Sequence, residues 1–333
     1  MEIAAKRRVV IVGIGSIGRR HARLLCERKD VAVEVFEPSA EMLTRAESEL
    51  GPLVKHESFE QMLATQPEVV WICTPNPLHA AQTVAALRAG CHVFCEKPMS
   101  NSLVEARRMK EAAEASGKIL NIGFVLHFLP VLARLKEVIS GGVLGQILHV
   151  HGRAGMYVIL ANSASRYQTH EPGSLFLDYS HQPDLFYWLL GRAPKTIQVT
   201  AFHAGSLEFS SDPNVADVVC GYDDPLVVTL HINYVQMPQR HDYEVIGDLG
   251  WAAVDIVTGE LKIGSRNEQS VVVEKYPCEP DDLYRAEIEG FFATVAGERS
   301  PETSAADGII STVVCEKSIE AWRRGERVDL NWQ

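Results

Sequence analysis

Long hydrophobic runs are missing from this chain of 333 residues. The longest strand-like runs, Val9–Val12 and Val69–Cys73, fall far short of the ~20 apolar residues that span a bilayer, so no membrane partner is expected. Met1–Arg8 holds no apolar stretch of the kind a secretion signal needs, which predicts a cytoplasmic protein. An excess of positive charge is missing too. Lys and Arg total 32 against 43 Asp and Glu, a net charge of −11, so the basic footprint of a nucleic-acid binder is absent. No two of the 7 cysteines form a C-x-x-C pair, and their odd number reads as reduced thiols. Cys91 and Cys95 are spaced C-x-x-x-C along an expected strand, but the second half of a zinc site is lacking, and no metal is expected. Internal repeats and low-complexity segments are also missing. What remains is an ordinary globular composition, 46% hydrophobic and 23% charged, which excludes a disordered, collagenous or coiled-coil chain. At roughly 100–200 residues per domain, the length suggests two domains.

The first third alternates strand and helix signals. Buried strands are predicted at Val9–Val12 and Val69–Cys73, and further strands at Val31–Phe36, His92–Cys95 and Ile119–Phe124. Helices are predicted between them at Ser16–Lys29, Ala40–Leu50, Phe59–Ala64, His79–Ala89 and Leu103–Ser116. That alternation implies a doubly wound parallel sheet. The remainder changes character. After helices at Leu132–Ile139 and Asp184–Leu190 come short strands at Ile197–Phe202, Val218–Tyr222, Leu226–Val235, Tyr243–Ile246, Ala252–Ile256 and Val271–Val273. Turn signals such as Asp223-Asp224-Pro225 and Gly247–Gly250 separate them, which favours antiparallel pairing. Helices at Leu283–Ala296 and Gly308–Arg323 close the chain. The expected fold class is therefore α/β: a Rossmann domain over residues 1–122, then an α+β domain with a large, mostly antiparallel sheet over 123–333.

Gly13-Ile14-Gly15-Ser16-Ile17-Gly18 is a G-x-G-x-x-G that follows a predicted strand and opens a predicted helix. Gly13 permits the tight turn, Gly15 lets backbone approach a pyrophosphate on the helix N-terminus, and Gly18 permits close helix–strand packing. Ile14, Ser16 and Ile17 complete the cradle. Glu37 lies 19 residues beyond Gly18, at the end of the next strand, where a carboxylate accepts hydrogen bonds from the adenosine ribose. Its charge would repel a 2′-phosphate, and Pro38-Ser39 supplies no cation, so NAD is expected rather than NADP. Arg19 and Arg20 are the nearby residues able to soften that preference.

Two further segments fall at the carboxyl ends of predicted strands, where an open parallel sheet binds its ligands: Thr74-Pro75-Asn76-Pro77-Leu78-His79 and Glu96-Lys97-Pro98. With these, the chain resembles the glucose–fructose oxidoreductase/inositol dehydrogenase (Gfo/Idh/MocA) family over essentially its whole length. The resemblance implies cofactor contacts from Thr74, Asn76, His79, Glu96 and Lys97, and a catalytic Lys97 that reaches both the nicotinamide and the reacting hydroxyl. A third match runs Gly173-Ser174-Leu175-Phe176-Leu177-Asp178-Tyr179-Ser180-His181-Gln182-Pro183-Asp184. It resembles the family's glycine-rich segment and its aspartate–histidine motif, with three residues rather than the frequent four from Asp178 to His181. Ser180 reads as an N-cap, which puts His181 near a helix N-terminus whose dipole disfavours imidazolium. A neutral His181 can act as general base, with Asp178 orienting it or touching substrate.

One departure concerns Gly123-Phe124-Val125-Leu126-His127-Phe128, where the family often carries an arginine; His127 becomes a candidate substrate contact. His149 and His151 alternate along an expected strand without a third metal ligand. Of Tyr157, Arg166, Tyr167 and His170, just before the histidine motif, Tyr167 is taken as a substrate-binding candidate. The resemblance implies an oxidoreductase moving hydride between NAD and a secondary alcohol or ketone of a sugar, cyclitol or sugar derivative, in a homodimer or homotetramer. Two rivals differ in kind: a relative that uses NAD transiently for epimerisation or glycosidic cleavage, and a dinucleotide-sensing regulator without catalysis.

Overall fold

The computed structural model describes residues 6–157, 159, 171–207 and 210–332, which divide into two compact units. The first comprises Met1–Val125 and, from much later in the chain, Glu279–Ile309; the second comprises Leu126–Cys278 and Ile310–Gln333.

The first unit is built on β1 (Arg7–Val12), β2 (Val31–Phe36), β3 (Val54–Lys55), β4 (Val69–Ile72), β5 (His92–Cys95) and β6 (Leu120–Ile122), ordered β3-β2-β1-β4-β5-β6. All of its ladders are parallel, with β1 in register with β2 and β4 (Val9 opposite Val33 and Val69). The connections are α1 (Ser16–Cys26), α2 (Ala40–Leu50), α3 (Phe59–Ala64), α4 (His79–Arg88) and α5 (Leu103–Ser116). Strand side chains alternate between faces, so one run of apolar residues feeds two cores. Val10, Val12, Val70 and Ile72 pack on one side of the sheet, while Val9, Ile11, Val69 and Trp71 pack on the other. The second core is closed by Ile288, Phe291 and Phe292 of α9 (Pro280–Val295), the helix contributed by the returning segment.

The second unit follows α6 (Pro130–Ser140) with β7 (Ile147–Gly155), α7 (Ser174–Asp178), α8 (His181–Leu190), β8 (Thr196–Phe202), β9 (Val215–Gly221), β10 (Val227–Asn233), β11 (Arg240–Gly247), β12 (Gly250–Asp255), β13 (Glu260–Ser265) and β14 (Ser270–Lys275). After α10 (Ala305–Arg324), β15 (Val328–Asp329) completes a 9-stranded sheet ordered β14-β13-β12-β11-β7-β10-β9-β8-β15. Every ladder in it is antiparallel except β7–β10, so the sheet is mixed but mostly antiparallel. Burial alternates along β9 and β11, leaving one face covered and the other lined by Asp217, Val219, Asp242 and Glu244. Two short or polar strands, β3 and β13, carry no apolar run; pairing with neighbours fixes them, as in Leu261 opposite Val254. No helix among the described residues is long and apolar enough to cross a membrane.

Candidate active site

After β1 the backbone turns at Gly13 with φ +90°, and a Cβ there would lie 2.8 Å from both Cys73 O and Thr74 N. A Cβ on Gly18 would lie 2.1 Å from Gly13 O, so α1 can approach the turn only with glycine at that position. Gly15 differs, because nothing stands within 4 Å of where its Cβ would be. Gly15 also occupies the N-cap of α1 without a side-chain cap, and the first turn of α1 has no acidic residue. The helix therefore offers uncapped N–H groups and an uncompensated positive end, a fit for a diphosphate. Glu37 is fixed beside it. Its Oε2 accepts from Ile14 N–H at 2.9 Å and its Oε1 from Ser39 N–H at 2.9 Å. A carboxylate has about four lone-pair sites, so two remain for ribose hydroxyls. Arg19 is engaged by Glu49 at 3.0 Å, and Arg20 by Asp281 at 3.4 Å and by the Tyr284 ring at 4.9 Å.

Three strand-end loops are stitched together around this cradle. The Gly13 turn lies against Cys73 and Thr74 after β4. His79, 1% exposed, has Nε2 2.8 Å from Thr74 O and Nδ1 2.8 Å from Pro98 O, joining the loop after β4 to that after β5. Burial lowers the His79 pKa, while the two carbonyls, which only accept, each favour an N–H on the ring nitrogen they face. Thr74 Oγ1 donates to Gln82 at 2.6 Å. Asn76 is buried, and neither its amide nitrogen nor its amide oxygen has a hydrogen-bond partner among the described residues. A group in that condition is suited to a ligand. Lys97 is half-buried, and its backbone N–H donates to Glu96 Oε2 at 3.2 Å. The Glu96 carboxylate points inward, with Oε1 2.8 Å from His21 Nε2.

In the second unit, Asp178 is 9% exposed and accepts a hydrogen bond from the hydroxyl of the fully buried Tyr234. His181 is half-buried and is the first residue of α8. Ser180 stands at the N-cap position, but its side chain makes no cap, contrary to expectation. The reason is local: α7 leads almost directly into α8, and Ser180 has helical angles (φ −57°, ψ −20°) rather than the extended ones a capping serine needs. His127 lies in the core, with Nε2 2.8 Å from Asp184 Oδ2 and its ring stacked 4.5 Å from Trp188. Tyr167 lies outside the described residues, as do Arg166 and His170. His149 and His151 both approach Thr229 Oγ1, and no group of three potential metal ligands occurs among the described residues. All seven cysteines are free.

Tyr234, His21 and Glu287 are buried partners that motif spacing passes over. His21 and Glu287 nonetheless left a signal, since each is a polar residue on the apolar stripe of an otherwise amphipathic helix. Tyr234 left none, because an aromatic residue at a strand end reads as packing.

Residues 7–124 match the model described as "Oxidoreductase family, NAD-binding Rossmann fold", and residues 132–253 match the "GFO/IDH/MocA C-terminal domain". The chain is 28% identical over 323 residues to inositol 2-dehydrogenase of Salmonella typhimurium, covering 95% of this chain and 94% of that one. It is 35% identical over 150 residues to D-glucoside 3-dehydrogenase of Escherichia coli, covering 44% and 43% of the two chains. Its fold superposes on myo-inositol 2-dehydrogenase from Lactobacillus plantarum with a TM-score of 0.83 at 22% identity, over 98% of this chain and 100% of that one.

Proposed function

We propose a reaction for a chain that belongs to the Gfo/Idh/MocA family of oxidoreductases: NAD-dependent oxidation of a secondary alcohol, or the reverse reduction of the ketone, on a cyclitol, sugar or sugar derivative. The observation that carries this reading is the stitching of the Gly13–Gly18 cradle, the Thr74–His79 loop and the Glu96–Lys97–Pro98 turn around one another. Gly13, Ile14, Gly15, Ser16, Ile17 and Gly18 would hold the diphosphate, Glu37 the adenosine ribose, and Thr74, Asn76 and Glu96–Lys97 the nicotinamide end. Bound there, the nicotinamide supplies hydride acceptance or donation. The ion pairs of Arg19 with Glu49 and of Arg20 with Asp281 support NAD over NADP, because a 2′-phosphate would have to draw each guanidinium from its carboxylate.

In the chemistry proposed, His181 removes the hydroxyl proton as general base. Lys97 hydrogen-bonds the same oxygen and offsets its developing negative charge. Asp178, steadied by Tyr234, orients the substrate or His181. His127 and Tyr167 remain substrate-binding candidates, although the pairing of His127 with Asp184 favours a supporting role. The cytoplasmic location belongs to the same proposal, supported by the free cysteines. So does association of copies through the uncovered sheet face, which light scattering would test: a monomer at high concentration would remove it. The reaction itself is tested by NADH absorbance on mixing enzyme and NAD with a panel of cyclitols and sugars. At least one should give NADH; an enzyme that binds NAD yet yields none with any of them would contradict the reading.

A further inference from the structure

Behind Lys97, Glu96 joins a buried acid–base cluster whose other members, His21 and Glu287, have no part in the reaction above. Glu96 Oε1 is 2.8 Å from His21 Nε2, and Glu96 Oε2 accepts from Lys97 N–H at 3.2 Å, so one carboxylate bridges α1 and the catalytic turn. His21 is completely buried, in contact with the rings of Trp71, Phe94 and Tyr284. Its Nδ1 has no hydrogen-bond partner among the described residues. Nε2–H therefore donates to Glu96, and a proton on Nδ1 would meet no acceptor among the described residues.

Glu287, on α9 of the returning segment, is 1% exposed, and neither of its carboxyl oxygens has a hydrogen-bond partner among the described residues. A carboxylate there would be a buried, unbonded charge facing a second one on Glu96. The cost of that charge is avoided if Glu287 keeps its proton. Burial, and then the charge of Glu96, push its carboxyl well above the usual range. Among the charged groups around the pair, Arg20 lies over the Tyr284 ring and is engaged by Asp281. Burial drives the thiols of Cys73 and Cys95 and the phenol of Tyr284 upward, the latter two to about 12, and pushes the His79 ring downward. Glu96 is held by His21 on one side and by the Lys97 backbone on the other.

We propose that His21 and Glu287 are positioning residues: His21 anchors Glu96 to the helix that cradles the diphosphate, the buried Glu287 keeps its proton and so leaves Glu96 to those bonds, and Glu96 in turn fixes the Lys97 turn relative to the cofactor. The role rests on reading Lys97 as catalytic. Geometry of this kind is worth a large factor, since a displacement of about 1 Å in a positioned group can cost ~10²-fold in rate.

The test has a spectroscopic arm and a kinetic arm. Infrared difference spectra of wild type minus Glu287→Gln, across neutral pH, should contain a protonated-carboxyl carbonyl band. His21→Leu should lower kcat by about 10- to 100-fold with NAD affinity unchanged in calorimetry, and His21→Gln, whose amide can still donate to Glu96, should recover most of it. Absence of the carboxyl band, or a His21→Leu enzyme with wild-type kcat, would overturn the inference. If His21→Leu loses NAD binding through misfolding, His21→Gln and the band decide. Full turnover in Lys97→Ala would remove the reading of Lys97 itself; lost turnover there with full turnover in His21→Leu would remove only the positioning role.

Discussion

The two units solve opposite problems with their sheets. In the first, both faces of a parallel sheet are covered, and its strands are nearly pure apolar runs such as Val9–Val12, all at 0% exposure. In the second, a mixed sheet is covered on one face, and its strands alternate, as in β11 (Arg240–Gly247). The contrast extends to chemistry. Candidate cofactor groups in the first unit are largely backbone and glycine, placed by the strand ends. The candidate catalytic and substrate groups in the second are side chains, placed by a buried hydrogen-bond network. Conformation is the constraint in one unit, and polar satisfaction in the other.

The largest expected effect sharpens that division of labour. Lys97→Ala and His181→Ala should each cost ~10²–10⁴ in kcat while calorimetry shows NAD binding retained, since neither belongs to the diphosphate cradle. Loss of NAD binding on replacing His181 would contradict the assignment of cofactor chemistry to the first unit.

Next in size is the core of the second unit. His127 and Asp184 form a buried pair whose side chains are both 1% exposed. Asp184→Ala should destabilise by about 3–5 kcal/mol in denaturant unfolding, because it breaks a buried pair by removing one partner. Removal of Asp281 from its exposed pairs with Arg23 and Arg20 should cost only ~0.2–1 kcal/mol. Equal losses would erase the distinction between a polar core and a solvated surface.

Much of this contrast is legible in the residues. The elements at Val31–Phe36, Ala40–Leu50, Phe59–Ala64, His92–Cys95 and Leu103–Ser116 follow directly from apolar period and end signals. The G-x-G-x-x-G and the strand-end loops are equally plain, because glycine geometry is a local property. The return of α9 to the first unit is not local. Ile288, Phe291 and Phe292 announce an apolar face but not which sheet receives it. Tyr234 and Asp178 are 56 residues apart and meet only through tertiary folding. Ser180 shows the converse, a strong local cap signal overruled by the helix that precedes it.

A smaller effect concerns cofactor choice. Glu37→Ala should weaken NAD binding by about 1.5–3 kcal/mol, the worth of hydrogen bonds to a charged group, and narrow the preference over NADP. Equal wild-type affinity for the two dinucleotides by calorimetry would defeat the role given to Glu37.

A last effect, spread over several pH units, is on stability against pH. The Glu287 carboxyl is raised in the folded protein, so its contribution is fully present below its unfolded value of about 4.3 and is lost as pH rises toward the folded value. The stability of wild type relative to Glu287→Gln should therefore fall with increasing pH above about 4.3, with a slope approaching 1.4 kcal/mol per pH unit. Parallel urea-midpoint curves for the two proteins would contradict a neutral Glu287.

The central claim is that hydride passes directly between a CH–OH carbon and the bound dinucleotide. Its most direct test is a single turnover of NAD-saturated enzyme with a cyclitol or sugar substrate deuterated at the reacting carbon, with the products weighed by mass spectrometry. The account predicts one deuterium in the reduced cofactor and a ketone product. Deuterium released to water, or a rearranged product with the cofactor left oxidised, would contradict it.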